Sequence, residues 1–162
     1  MNSSWTEGTA AERDFVSARG ESIVRKATKT EDMNEHWDYL DSAFGRVDVK
    51  AAKRLHRGGP VDYTIWWELL TVKRPPDNKP KKGWGVPNNI DRLIAIRTED
   101  MFVMVNPADI YPKLKVLCKG HGRGEFLLHG RPNRGDLMTI LPLSFLNENA
   151  VGTVKLKGIV CT

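Results

Sequence analysis

The chain has 162 residues, 40% hydrophobic and 28% charged, the balance of a soluble globular protein rather than of a disordered, collagenous or low-complexity chain. No apolar run approaches the roughly 18 residues of a membrane helix, and the polar stretch Met1 to Gly8 has no apolar signal core, so no membrane partner is expected and the cytoplasm is the expected compartment. Lys and Arg number 25 against 20 Asp and Glu, a net +5 that favours a polyanionic partner; the two cysteines form no CxxC pair, which excludes a disulfide scaffold and a cysteine-built zinc site.

Residues 1–8 read as a flexible tail. Residues 9–28 read as a helix, with Thr9 and Glu12 as a capping box, Phe15, Val16, Ile23, Val24 and Ala27 as apolar positions, and Gly20 as a weak spot. Thr28 to Glu35 reads as a polar connection. Two short strands follow, His36 to Asp41 and Arg46 to Ala51, around the turn Ser42-Ala43-Phe44-Gly45. Lys53 to Asp62 is a basic, glycine-rich loop or hairpin tip. Tyr63 to Val72 is the strongest strand signal, dense in aromatic and β-branched residues, and the Pro- and Lys-rich Lys73 to Lys82 is a surface loop. Strands are expected at Asp91 to Arg97 and Met101 to Asn106, a helix at Pro107 to Leu117 with proline in its first turn, and a loop at Lys119 to Gly124. A strand at Leu137 to Leu141 and a helical turn at Pro142 to Glu148 complete the order. That order predicts an α/β (α+β) fold around a central mixed sheet flanked by helices. No composition break separates a second domain, so 9–162 is expected to be one.

The informative stretch is Asp38, then the turn, then Asp48-Val49-Lys50. Alternation along a strand puts Asp48 and Lys50 on one face and Val47 and Val49 on the other. Asp38 lies one hairpin earlier and can converge on Asp48 across the ladder. Asp38 and Asp41 fall on opposite faces of a regular strand, so only one of them can point at Asp48. Two carboxylates beside a lysine suit metal-assisted phosphodiester hydrolysis. Mg2+ prefers oxygen ligands and takes one or two carboxylates plus waters and phosphate oxygens; Mn2+ is the alternative. The lysine can orient a water and offset charge on the phosphorus oxygens.

Asp38 with Asp48-Val49-Lys50 resembles the PD-(D/E)xK motif of the restriction-endonuclease-like nucleases. Trp66-Trp67-Glu68-Leu69, Gly83-Trp84-Gly85 and Asn89-Ile90-Asp91 are similar to segments of small phage-encoded members. The likeness spans roughly residues 10–145 of the printed chain. It departs from the pattern in one place, since Trp37 stands where the family has proline. The resemblance implies a restriction-endonuclease-like core and a Mg2+-dependent deoxyribonuclease, more an endonuclease than an exonuclease. It implies a role in phage recombination or repair, with a junction resolvase as one form, and a homodimer by analogy with resolvases. Asp38, Asp48 and a glutamate of the first helix would hold the metal. Glu21 matches that glutamate, and Glu12 competes with it. Lys50 would position the water, and Glu68 would support the site from the following strand.

Phosphate contacts are expected from Lys53, Arg54 and Arg57, just after the motif strand, and from Lys73, Arg74, Lys81 and Lys82, with Trp84 available for base stacking. The expected partner is DNA, whether duplex, branched or single-stranded, with RNA as a further candidate. Plainer alternatives stand beside each assignment. Asp38, Asp48 and Lys50 could form an exposed cross-strand ion pair worth ~0–1 kcal/mol. Glu21 could be a solvated helix position, and Glu68 the polar face of a half-buried strand. His121 and His129 lack further ligands at zinc spacing, and Gly120 to Gly124 lacks the ending of a phosphate loop. Two other functions compete: an inactive nucleic-acid-binding module of the same fold, and a viral structural or assembly protein.

Overall fold

The computed structural model describes residues 3–51, 64–70, 81–130 and 135–157. It is a mixed α and β fold with a central mixed sheet flanked by helices. Chain contacts divide it into two compact units, Met1–Ala52 with Ile90–Asn106 and Ala150–Thr162, and Lys53–Asn89 with Pro107–Asn149. Sequence composition gave no sign of this division. Each unit joins segments distant along the chain, which a scan of local composition does not register. No described helix is long and apolar enough to cross a membrane.

The first unit opens with α1 (Ser3–Arg19). Residues 3–8 are therefore helical, not a tail. The helix also ends far short of residue 28. Gly20 follows its last residue at φ +100°, and its N–H bonds the Val16 carbonyl at 2.7 Å. A glycine in the left-handed region is a usual helix stop, so the expected weak spot is the terminus. Ile23 then turns the chain into β1 (Val24–Lys26).

The expected polar connection contains α2 (Lys29–Glu35). Thr28 caps it, accepting from the Glu31 N–H at 3.3 Å while the Glu31 carboxylate takes the Thr28 N–H at 2.8 Å. The signal Thr-x-x-Glu was there to be read. His36 ends α2 in the left-handed region, which shortens the expected strand from His36 to β2 (Tyr39–Asp41).

Next come β3 (Gly45–Ala51), β5 (Leu93–Arg97), β6 (Met101–Val105) and β10 (Ala150–Lys155), with β4 (Thr64–Leu70) between β3 and β5 in sequence but in the other unit. The sheet order is β1-β2-β3-β5-β6-β10; β3 and β5 run parallel, and the other neighbours are antiparallel. Val47 and Val49 of β3 face α1, where they pack with Ala11, Phe15, Tyr39, Ala95, Phe102 and Met104. Phe15 meets Phe102 edge-on at 5.3 Å, and its full burial contributes about 2–3 kcal/mol. On the opposite face, Ile94, Ile96, Val103 and Val105 are also buried.

The second unit carries a sheet in the order β4-β9-β8-β7, where β7 is Gly120–His121, β8 is Leu127–Gly130 and β9 is Leu137–Pro142. Its helices are α3 (Pro107–Leu117), at the expected bounds, and α4 (Leu143–Glu148). The expected loop at 119–124 thus contains a two-residue strand. β4 buries Trp67 completely, and the indole N–H donates to the Gly85 carbonyl at 2.9 Å. The Gly83 and Gly85 N–H groups bond the Leu69 and Glu68 carbonyls, both at 2.9 Å, so the Gly-Trp-Gly turn clasps β4.

A Cβ at Gly85 would fall 2.1 Å from the Trp67 indole nitrogen, and at Gly83 2.5 Å from the Glu68 carbonyl oxygen. Neither neighbour can retreat, since one is a fully buried ring and the other is strand backbone. Gly85→Ala is therefore expected to lower stability by about 3 kcal/mol, at the upper end of overpacking costs. Urea unfolding checks this, and a midpoint within error of wild type would refute it.

Candidate active site on the β2–β3 hairpin

The hairpin turn sets the geometry. Asp41 Oδ1 accepts the Ala43 and Phe44 N–H groups at 2.8 and 3.1 Å, and Gly45 closes the turn at φ +72°. The same carboxylate takes a bidentate pair from Arg19 of α1, Nε to Oδ2 at 2.5 Å and Nη2 to Oδ1 at 2.9 Å. Burial would raise the Asp41 carboxyl, but Arg19 and the two backbone donors outweigh it and hold it below the ordinary value. Breaking a buried pair of this kind costs about 3–5 kcal/mol, and the partial exposure of Arg19 puts this one at the low end. Asp41 thus serves structure, tying its own turn to Arg19 of α1.

The turn fixes the register Tyr39↔Val47, Leu40↔Arg46 and Asp41↔Gly45. Asp38 continues that ladder: its N–H bonds the Val47 carbonyl at 2.8 Å, and its own carbonyl accepts from Ala27 at 2.7 Å. Its Oδ2 takes the Val49 N–H at 2.7 Å. Asp38 therefore lies against the strand that carries Asp48 and Lys50. Asp48 is buried, with a side chain 3% exposed, and its Oδ1 is 2.5 Å from the Lys50 ammonium. Its Oδ2 makes no hydrogen bond among the described residues and stands 3.5 Å from Nη1 of Arg92. Lys50 reaches solvent, whereas Arg92 is as buried as Asp48.

Burial and the neighbouring Asp48 carboxylate push the Asp38 carboxyl up to about 7; Glu12 adds to the repulsion, while Lys50 and the Val49 N–H oppose it. Desolvation alone would lower the Lys50 ammonium, but Asp48 and Asp38 more than compensate and raise it. Arg92 moves down, chiefly through its burial. The ensemble is one buried and one half-buried carboxylate with two cations, one buried and one partly exposed.

The structure brings together Asp38, Asp48 and Lys50. It does not bring Glu21 to them. Glu21 is exposed in the turn after Gly20, off the helix that was expected to carry it, because α1 stops at Arg19. Glu12 is the α1 acid that acts on Asp38; it accepts from the Tyr39 hydroxyl at 3.4 Å and pairs with Lys26 at 3.5 Å. Burial and Glu12 push the Tyr39 phenol up to about 12.

Glu68, Lys81, Lys82 and Trp84 belong to the second unit. There the Glu68 carboxylate meets the Trp84 N–H at 3.5 Å, and the Trp84 ring packs on Trp67 at 4.9 Å, so this indole serves the Gly-Trp-Gly clasp. Lys81 and Lys82 are exposed. Lys53, Arg54, Arg57, Lys73 and Arg74 lie outside the described residues. The His129 ring lies 5.3 Å from Trp66, and among the described residues no group of three or more His, Cys, Asp or Glu side chains could hold a metal.

Arg92 went unnoticed in the sequence. It stands one residue before the apolar run of β5, and the parallel register Asp48↔Ile94 brings it to the Asp48 face. Only the pairing of β3 with β5, strands separated by β4 in the chain, reveals this.

The raised Asp38 carboxyl has a stability consequence. The native state binds this proton more tightly than the unfolded chain, whose carboxyl titrates near the ordinary 3.8. The contribution of Asp38 to stability therefore falls as pH rises from about 4 to about 7, and its full cost is present above that. Asp38→Asn, which keeps an oxygen for the Val49 N–H, should be more stable than wild type at pH 8, with the gap closing by pH 4 to 5. Urea titrations across this window test it, and a gap independent of pH would sink it. No protein-family model, curated protein or solved structure matches this chain.

Proposed function

We propose that the Asp38–Asp48–Lys50 site hydrolyses phosphodiester bonds in DNA with a divalent metal ion, as a member of the PD-(D/E)xK class with a restriction-endonuclease-like core. The carrying observation is the approach of a half-buried carboxylate, Asp38, to a buried one, Asp48, beside a lysine. A surface ion pair would be exposed and would need no second carboxylate. Burying Asp38 against Asp48 works against stability, and such groups cluster where chemistry requires them.

The donor set is two carboxylates, Asp38 and Asp48, beside Lys50 and Arg92. It offers no enclosed three-ligand cage among the described residues. It fits a hard, partly hydrated ion, since Mg2+ is held by one or two carboxylates with waters and phosphate oxygens completing its shell. Asp38 and Asp48 would hold it, with Glu12 rather than Glu21 as the nearby helix acid. When bound, the ion would polarise the phosphoryl group and lower the pKa of a bound water. Lys50, kept cationic by both carboxylates and open to solvent, would meet the phosphate oxygens and offset their developing charge. The net charge of +5 favours the polyanion. The resemblance to phage-encoded members carries the rest of the reading: an endonuclease of recombination or repair, a branched substrate, a homodimer and action in the cytoplasm.

One observation favours a second reading. Both Asp48 oxygens face a cation, so the cluster is charge-balanced without a metal, as an inactive DNA-binding module would have it. Cleavage of linear duplex, single strand, flap and four-way junction with Mg2+ or Mn2+ separates the two. The nuclease reading expects metal-dependent cutting of at least one substrate. It also expects Asp48→Asn and Lys50→Ala, each verified as folded by circular dichroism, to lose on the order of 100-fold or more in rate. Binding without cutting, unchanged in both variants, would promote the binding module instead.

A further inference from the structure

We propose that Arg92 is a positioning residue for Asp48 that makes capture of the metal depend on the phosphodiester. The inference rests on the reading of Asp38 and Asp48 as metal ligands. Asp48 is bracketed: Lys50 Nζ lies 2.5 Å from Oδ1, and Arg92 Nη1 lies 3.5 Å from Oδ2. Lys50 can swing out, because its side chain is 29% exposed. Arg92 cannot, because its side chain is 3% exposed and its backbone leads into the central strand β5.

Among the described residues the charges around the site balance. With both aspartates ionised, Asp38 and Asp48 carry two negative charges against the positive charges of Lys50 and Arg92. Glu12, the remaining acid that acts on Asp38, is paired with Lys26 at 3.5 Å. A bare divalent cation therefore enters a site with no net attraction for it. A phosphodiester supplies the missing negative charge, and the cation and the substrate arrive as mutually stabilising partners. Arg92 enforces this dependence because it is the cation that stays at Asp48 when Lys50 turns to the phosphate.

The test is binding of Mn2+ alone, read by the electron paramagnetic resonance of the free ion, with no DNA and no turnover. Wild type should bind weakly. Arg92→Met should bind Mn2+ about tenfold more tightly, because a positive charge within several Å of the ion is gone. Arg92→Lys, which keeps the charge, should stay near wild type, and Asp48→Asn should abolish the gain. Should the methionine variant not fold, Arg92→Gln keeps a donor for Oδ2 without the charge and carries the same expectation. A folded charge-removing variant with unchanged or weaker Mn2+ affinity would overturn the proposal and leave Arg92 a packing residue. Failure of every variant and of wild type to bind Mn2+ would instead bring down the metal reading itself, and this inference with it.

Discussion

The Asp41 carboxylate ties together two parts of the first unit, the turn of the β2–β3 hairpin and the end of α1. It caps its own turn through two backbone N–H groups and holds Arg19 at the end of α1. The first contact sets the hairpin register, and the second fixes the helix that covers the apolar face of β3. A slip of one residue would send Asp48 and Lys50 toward Phe15 and Phe102, and Val47 and Val49 to the opposite face. The chemistry of Asp38 is therefore built on the structural use of another aspartate three residues away.

The two faces of β3 show how one strand can carry a core and a charged cluster. Valines point at α1, while an acid and a lysine point the other way into a setting that includes fully buried Ile94 and Ile96. Charge in such surroundings is tolerated only when compensated. Lys50 and Arg92 supply the compensation for Asp48. Asp38 gets less: one backbone donor and a share of the lysine, set against another carboxylate. The result is a carboxylate pair at odds with the stability of its own fold.

Local signals in the sequence carried most of the strands and α3, and alternation alone placed Asp48 beside Lys50. Asp38 was legible because a hairpin keeps its partners close in sequence. Errors arose where a residue had two readings. Gly20 could weaken a helix or end it, and Thr28 with Glu31 could sit in a loop or open a helix. The first decides where Glu21 stands, in the turn after α1 rather than on a helix. β1 and β8, of three and four residues, are too short for a period to declare itself. Arg92 and the division into two units depend on pairings between distant segments, and nothing local encodes those.

The segment order has a consequence for how the chain acquires its structure during synthesis. The first unit takes its strands from three stretches, and the edge strand β10 comes after nearly all of the second unit has been made. β3 emerges early but finds its parallel neighbour β5 only after more than 40 intervening residues have left the ribosome, counting from Ala51 to Leu93. Until then Asp48 has no Arg92, and β3 is the unpaired edge of the three-stranded sheet β1-β2-β3. Long-range pairings of this kind slow folding, because loop closure must precede the contacts that reward it. The carboxylate cluster is thus incomplete until β5 has emerged and paired with β3.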